Sequence, residues 1–223
     1  MSPKHNFTAI LVIAVSLSTP LAQLHAVEDD WKSLFNGHDL TGWKANQNPE
    51  SFTVENGLLK THGLNDMAHL YYFGENDNQP EKFINFEFRC EVLVMAKSNS
   101  GIFFHTNYEK TDHFLKHGYE AQINNDPRTT KELTGSLFAV IPVLESPVRD
   151  EEWFRYYIKV DGNHIIIKVN DTITVDYREG ENPVRKPFRK DRLLQKNGGA
   201  LAIQAHDKDS TVYFRNIQLK KLP

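Results

Sequence analysis

Only one cysteine, Cys90, occurs in 223 residues, so neither a disulfide framework nor a cysteine-built zinc site is available. Long apolar runs are missing too. The stretch from Phe7 to Leu17 falls far short of the roughly 20 residues a spanning helix needs, and nothing later approaches that length. Charge of one sign is not in excess: 26 basic against 29 acidic residues leave a net charge of -3. That balance offers no basic field to nucleic acid and no polybasic patch to a membrane surface. Sustained i, i+3, i+4, i+7 periodicity is absent after the N-terminal segment. A Gly-x-Ser-x-Gly elbow, a phosphate-cradling glycine loop and a His-Glu-x-x-His pair are absent as well.

What is present describes one globular domain with a large core: 39% hydrophobic, 11% aromatic and 25% charged residues. Before it, a polar start with Lys4 and His5 leads into the apolar run, a break at Pro20 and then Leu24-His25-Ala26. That order predicts a secretory signal peptide, residues 1–26, cut after Ala26. The remaining domain, 27–223, is expected to be exported to the periplasm or the extracellular space, with no membrane span after cleavage.

From Phe52 onward, period-2 alternation in short runs bounded by Gly, Asn and Asp predicts an all-β domain of two packed antiparallel sheets. Strands are expected at 52–54, 58–61, 83–95, 101–107, 118–124, 135–138, 154–161, 164–170, 172–177, 200–205 and 212–219. Asp161-Gly162 is a hairpin signal and Asn170-Asp171 a second turn, so the strands around them form a meander. Cys90 falls on the apolar side of its strand with Phe86 and Phe88, as a buried core thiol. The segment from Arg178 to Gly199, with Pro183, Pro187, Gly198 and Gly199 among basic residues, is expected to be a solvated surface loop. A substrate lid is the alternative.

Strand parity carries the functional reading, because alternate side chains face opposite sides of a sheet. In Asn99 to His105, Ile102 and Phe104 oppose Asn99, Gly101, Phe103 and His105. In Gly118 to Asn124, Tyr119, Ala121 and Ile123 oppose Glu120, Gln122 and Asn124. In Ala200 to His206, Leu201 and Ile203 oppose Ala202, Gln204 and His206. Ordinary solvent faces favour Lys, Thr and Glu, whereas amides and imidazoles dominate here, which suits a sugar cleft. His105, Glu120 and His206 together are also donors suited to a divalent metal, without close ligand spacing to support it. His38, His62, His69, His113, His117 and His164 fall mostly in loops and turns and are expected at the surface. A sandwich glycosidase needs two carboxylates across the scissile bond, and Glu120, Gln122 and Asn124 supply one.

The blocks Ser33-Leu34-Phe35-Asn36-Gly37-His38-Asp39-Leu40-Thr41-Gly42-Trp43, Ser98-Asn99-Ser100-Gly101-Ile102-Phe103-Phe104 and Gly118-Tyr119-Glu120-Ala121-Gln122-Ile123 add a second line. Thr134-Gly135-Ser136-Leu137-Phe138, Glu152-Trp153-Phe154, Gln204-Ala205-His206 and Phe214-Arg215-Asn216-Ile217 follow in order. From about Trp31 to Pro223 the chain resembles the 3-keto-disaccharide hydrolase domain family, also described as 3-keto-glucoside 1,2-lyase and 3-keto-2-hydroxy-glucal hydratase. It departs from many members at His105, where they have Arg, and at Phe154, where they have Asn.

The resemblance implies a concanavalin A-like jelly roll and an exported enzyme that cleaves 3-keto glycosides by elimination across C1 and C2, followed by hydration. A C3 ketone makes the C2 hydrogen acidic, so one positioned base suffices. Glu120 and His206 are the expected acid–base pair, either one serving as the base, and Asn99, His105, Gln122 and Gln204 the groups that hold the ketone and hydroxyls. The sugar is the expected partner. No resident cofactor is expected, the ketone being made by a separate sugar 3-dehydrogenase. The alternative is a non-catalytic, lectin-like carbohydrate-binding domain, with Trp43, Trp153 or Tyr119 as aromatic platforms.

Overall fold

The computed structural model describes residues 30–64, 67–76, 78–111 and 114–223. The signal segment expected at 1–26 and the expected surface residue His113 lie outside the described residues. Among the described residues fourteen strands follow in chain order: β1 (Lys32–Ser33), β2 (Trp43–Ala45), β3 (Phe52–Glu55), β4 (Leu58–His62), β5 (Ala68–Tyr72), β6 (Lys82–Phe83), β7 (Phe86–Val94), β8 (Asn99–Thr106), β9 (Tyr119–Asn124), β10 (Trp153–Asp161), β11 (His164–Val169), β12 (Thr172–Arg178), β13 (Gly199–Ala205) and β14 (Thr211–Lys221). The larger sheet has eight strands in the order β12-β11-β10-β7-β14-β4-β3, with β1 beside β14. The smaller has six, β2-β5-β13-β8-β9, with β6 beside β13. Among the described residues no helix is long and apolar enough to cross a membrane.

The expected meander forms. Asp161 pairs with His164 across a turn in which Gly162 takes φ +60°, and β11 returns along β12. Inward-facing side chains build a single layer between the sheets: Phe86, Phe88, Cys90, Val92 and Val94 of β7 join Ile102 and Phe104 of β8, Tyr119, Ala121 and Ile123 of β9, and Leu201 and Ile203 of β13. Each large side chain removed from water there contributes about 1.5–3 kcal/mol. Burial raises the Cys90 thiol far above its ordinary pKa, so it stays an unreactive core group.

Three expectations change. Residues 135–138 do not form a strand: positive φ at Gly135 and Ala139 interrupts the extended backbone. The segment still runs beside β9, with the Phe138 N–H donating to Glu120 O at 2.9 Å and a bridge between Ala121 and Leu137. β5, not anticipated, lies between β2 and β13 and is buried on both faces, with Ala68, Leu70 and Tyr72 in the core and His69 and Tyr71 on the outer side. The segment 178–199 is not a free solvated loop but a strap tied across the sandwich. Arg185 donates to the Tyr119 and Tyr177 hydroxyls, both at 2.8 Å, and Tyr119 donates to Glu179. Glu179 in turn accepts from the Leu194 N–H at 3.1 Å.

Candidate functional site

The outer face of the smaller sheet carries the polar set that parity predicts. Register places Asn99 opposite Asn124, Gly101 opposite Gln122 and Phe103 opposite Glu120 between β8 and β9. On the other side of β8, Ala202 of β13 faces Phe103, and further along β13 Gln204 faces His69 of β5. Asn99, Glu120, Gln122, Gln204 and His206 thus line one cleft of about 490 Å3. Phe114, Thr129, Phe138 and the strap residues Arg189 and Arg192 wall it in.

Glu120 is strongly altered by its surroundings. Only 4% exposed, it is pushed up to about 7, because burial penalises its charge more than Arg192 and Arg189 support it. Arg192 Nη2 lies 3.5 Å from Glu120 Oε2, and the guanidinium sits over the Phe103 ring at 5.4 Å. Arg192 Nε and Nη1 are buried with no hydrogen-bond partner among the described residues. A buried guanidinium left partly unsatisfied is poised for an oxygen of a ligand. Gly101 makes room for the pair: a Cβ there would stand 2.7 Å from Glu120 Oε1.

His206 follows β13 and stays partly open to solvent. Its Nδ1 is 2.7 Å from Asp207 Oδ1, and the Asn99 amide donates to Asp207 Oδ2 at 3.1 Å. The carboxylate fixes the tautomer with the proton on Nδ1 and leaves Nε2 as the acceptor. Gln122 Nε2 donates to Asn99 Oδ1 at 3.4 Å, so the amides are linked along the cleft. Gln204 Nε2 lies 3.3 Å from His69 Nε2, while Gln204 Oε1 is buried without a partner among the described residues. Asn124 belongs to the wall: its Oδ1 accepts from the Asp126 N–H at 2.8 Å and shapes the turn that follows.

His105 does not join this set. Its φ of +53° forms an irregularity in β8 that breaks parity and turns the ring onto Phe86, with centroids 6.3 Å apart. Its Nε2 bonds to Ile84 O at 2.8 Å and its Nδ1 accepts from the Gln195 N–H at 3.0 Å. Burial lowers its pKa, and both nitrogens are satisfied in the neutral form. The metal triad of His105, Glu120 and His206 is therefore not assembled, and no cluster of three or more His, Cys, Asp or Glu among the described residues is placed to hold a metal ion.

The aromatic platforms suggested for a lectin are elsewhere. Trp43 is buried and donates to Leu34 O, Tyr119 lies in the core, and Trp153 is covered by Arg215 at 4.1 Å. His69, expected at the surface, is fully buried beside the cleft, edge-on to Phe103. Arg192 and Asp207 went unnoticed in the sequence. Asp207 follows His206 directly and is the one with a readable signal.

Residues 30–220 match the family described as the 3-keto-alpha-glucoside-1,2-lyase-like domain. A 3-keto-disaccharide hydrolase of Bacteroides thetaiotaomicron is 25% identical over 254 residues, covering 94% of this chain and 87% of that protein. The crystal structure of a candidate glycosyl hydrolase from Parabacteroides distasonis aligns with a TM-score of 0.72 at 23% identity, over 86% of this chain and 94% of that one. A carbohydrate-binding module from Bacillus subtilis aligns with a TM-score of 0.54 at 12% identity, over 81% of this chain and 96% of the module. These two likenesses concern the fold, which is the lectin-like jelly roll of two antiparallel sheets.

Proposed function

Because the chain belongs to the 3-keto-alpha-glucoside-1,2-lyase-like domain family, a carbohydrate hydrolase-like family, we propose that its cleft opens 3-keto glycosides by elimination and rehydration. The observation that carries this is Glu120, a buried carboxylate with a pKa near 7 beside a partly unsatisfied guanidinium. The acidic C2 hydrogen and the C3 oxygen of the substrate are on adjacent carbons, so base and oxyanion holder must also be neighbours. Glu120 and Arg192 meet that requirement.

In this reading Glu120 takes the C2 proton and Arg192 holds the oxygen on which the enolate charge gathers. The enolate collapses to a C1–C2 double bond, the C1–O bond breaks, and Glu120 returns its proton to the departing oxygen. His206, held by Asp207, then takes a proton from the water that adds at C1; C2 takes a proton from solvent as His206 gives its own up, which yields the free 3-keto sugar. Asn99, Gln122 and Gln204 hold hydroxyls. A separate sugar 3-dehydrogenase supplies the ketone, and the N-terminal segment directs the protein out of the cytoplasm.

Incubating the protein with a 3-keto glucoside and with its unoxidised parent tests the reading. Release of aglycone from the 3-keto compound alone is expected. Equal release from both points to glycosidase chemistry, and binding without release points to a carbohydrate-binding domain.

A further inference from the structure

Phe138 and Arg189 line the cleft and also a second groove of about 510 Å3 that opens beyond them. The two spaces are built differently. The cleft is lined with amides and an imidazole, whereas among the described residues no Asn, Gln, Ser, Thr or His lines the groove. Two of its large apolar side chains stand in water, Phe188 at 72% and Leu144 at 69% exposure. Single exposed apolar residues are common, but two on one groove continuous with a polar cleft form an apolar seat.

The groove is also cationic. Lys131, Lys186 and Arg189 border it against one carboxylate, Glu132, whose Oε1 already accepts from the Ala139 N–H at 2.5 Å. None of the three cations makes an ion pair among the described residues. The Arg189 guanidinium covers Phe138 at 5.1 Å and Phe188 at 5.5 Å, so charge and ring faces meet at the junction with the cleft.

We propose that this groove is the leaving-group subsite, and that it takes a flat apolar ring bearing an anionic group; this rests on the reaction proposed above. A polyhydroxylated leaving group would find no amide or hydroxyl side chain there. An aryl carboxylate would find an apolar seat and uncompensated positive charge. With Glu120 on the Phe138 side of the cleft and His206 beyond Asn99, the aglycone leaves toward the groove and water enters from the other end.

The test compares 4-carboxyphenyl and 4-carbamoylphenyl 3-keto glucosides, which match in shape; the neutral amide is intrinsically the better leaving group. At low salt kcat/KM is expected to favour the carboxylate by about fivefold, the scale of two or three exposed charge contacts. That ratio should fall toward one at about 0.5 M salt and in the Lys131→Gln, Lys186→Gln double variant. A ratio at or below one in the native protein, or one that the double variant leaves unaltered, overturns the proposal. The 3-keto phenyl glucoside reports on the reaction separately. If it is not opened, calorimetry with the unoxidised pair judges the groove: tighter binding of the carboxylate upholds it and equal binding overturns it.

Discussion

The outer faces of the two sheets are made from strands of the same period, yet they end in different environments. On the larger sheet β7 and β11 alternate strictly between buried and half-exposed positions. Its outer side chains pair in water, Arg215 with Glu91 across strands and Arg155 with Asp171 of the turn between β11 and β12. On the smaller sheet β9, β13 and β5 are buried at every position, because Arg192 of the strap lies over Glu120 and Phe103, and Tyr108 and Leu115 pack on Tyr71, Ala200 and Ala202. One face keeps its polar groups solvated. The other removes a carboxylate and a guanidinium from water and leaves part of their hydrogen-bonding capacity unused, which is costly for stability and useful for chemistry.

Removing the chemistry from the covered face should have the largest effect. Glu120→Gln and His206→Ala are each expected to keep the fold and to lower turnover of a 3-keto glucoside by about a hundredfold or more. Circular dichroism and steady-state kinetics check both. Gly101→Ala comes next: its Cβ would stand 2.7 Å from Glu120 Oε1 and must displace the carboxylate. Displacing a catalytic group by about 1 Å costs up to about a hundredfold, so the variant should lose kcat while its melting temperature changes little.

The pH dependence sharpens the contrast further. With Glu120 at about 7, the base form is lost as pH falls, so kcat/KM should drop with acidity below that value. Stability has the opposite slope. A carboxyl whose pKa is raised on folding, from 4.5 to about 7, favours the folded state when protonated, and that contribution disappears as pH rises through this window. Relative to Glu120→Gln, the native protein should therefore lose about 3 kcal/mol between pH 4 and 8 in denaturant titrations. The smallest effect belongs to the solvated face. Asp171→Ala, which removes the exposed partner of Arg155, should shift stability by less than about 0.5 kcal/mol and leave turnover unchanged.

Parity alone found Asn99, Glu120, Gln122, Gln204 and His206, because a period of two is a local property of each strand. It failed at His105, where one residue at positive φ reverses the facing. It also passed over β5, whose polar residues His69 and Tyr71 are buried like its apolar ones. Arg192 was illegible for a different reason. It sits in an aperiodic basic segment, and ties made far along the chain, Arg185 to Tyr119 and the Gln195 N–H to His105, 66 and 90 residues away, bring it over Glu120. Long-range contacts of that kind leave no mark on local pattern, whereas the strands they cover do.

Proton abstraction at C2 of a 3-keto sugar is the step proposed for the covered face. A 3-keto glucoside deuterated at C2, opened under single-turnover conditions, tests it most directly. A primary isotope effect on aglycone release is expected, with enzyme-dependent loss of the label to solvent above the rate of the substrate's own exchange. Release at the same rate from labelled and unlabelled substrate, with chemistry rate-limiting, would contradict it.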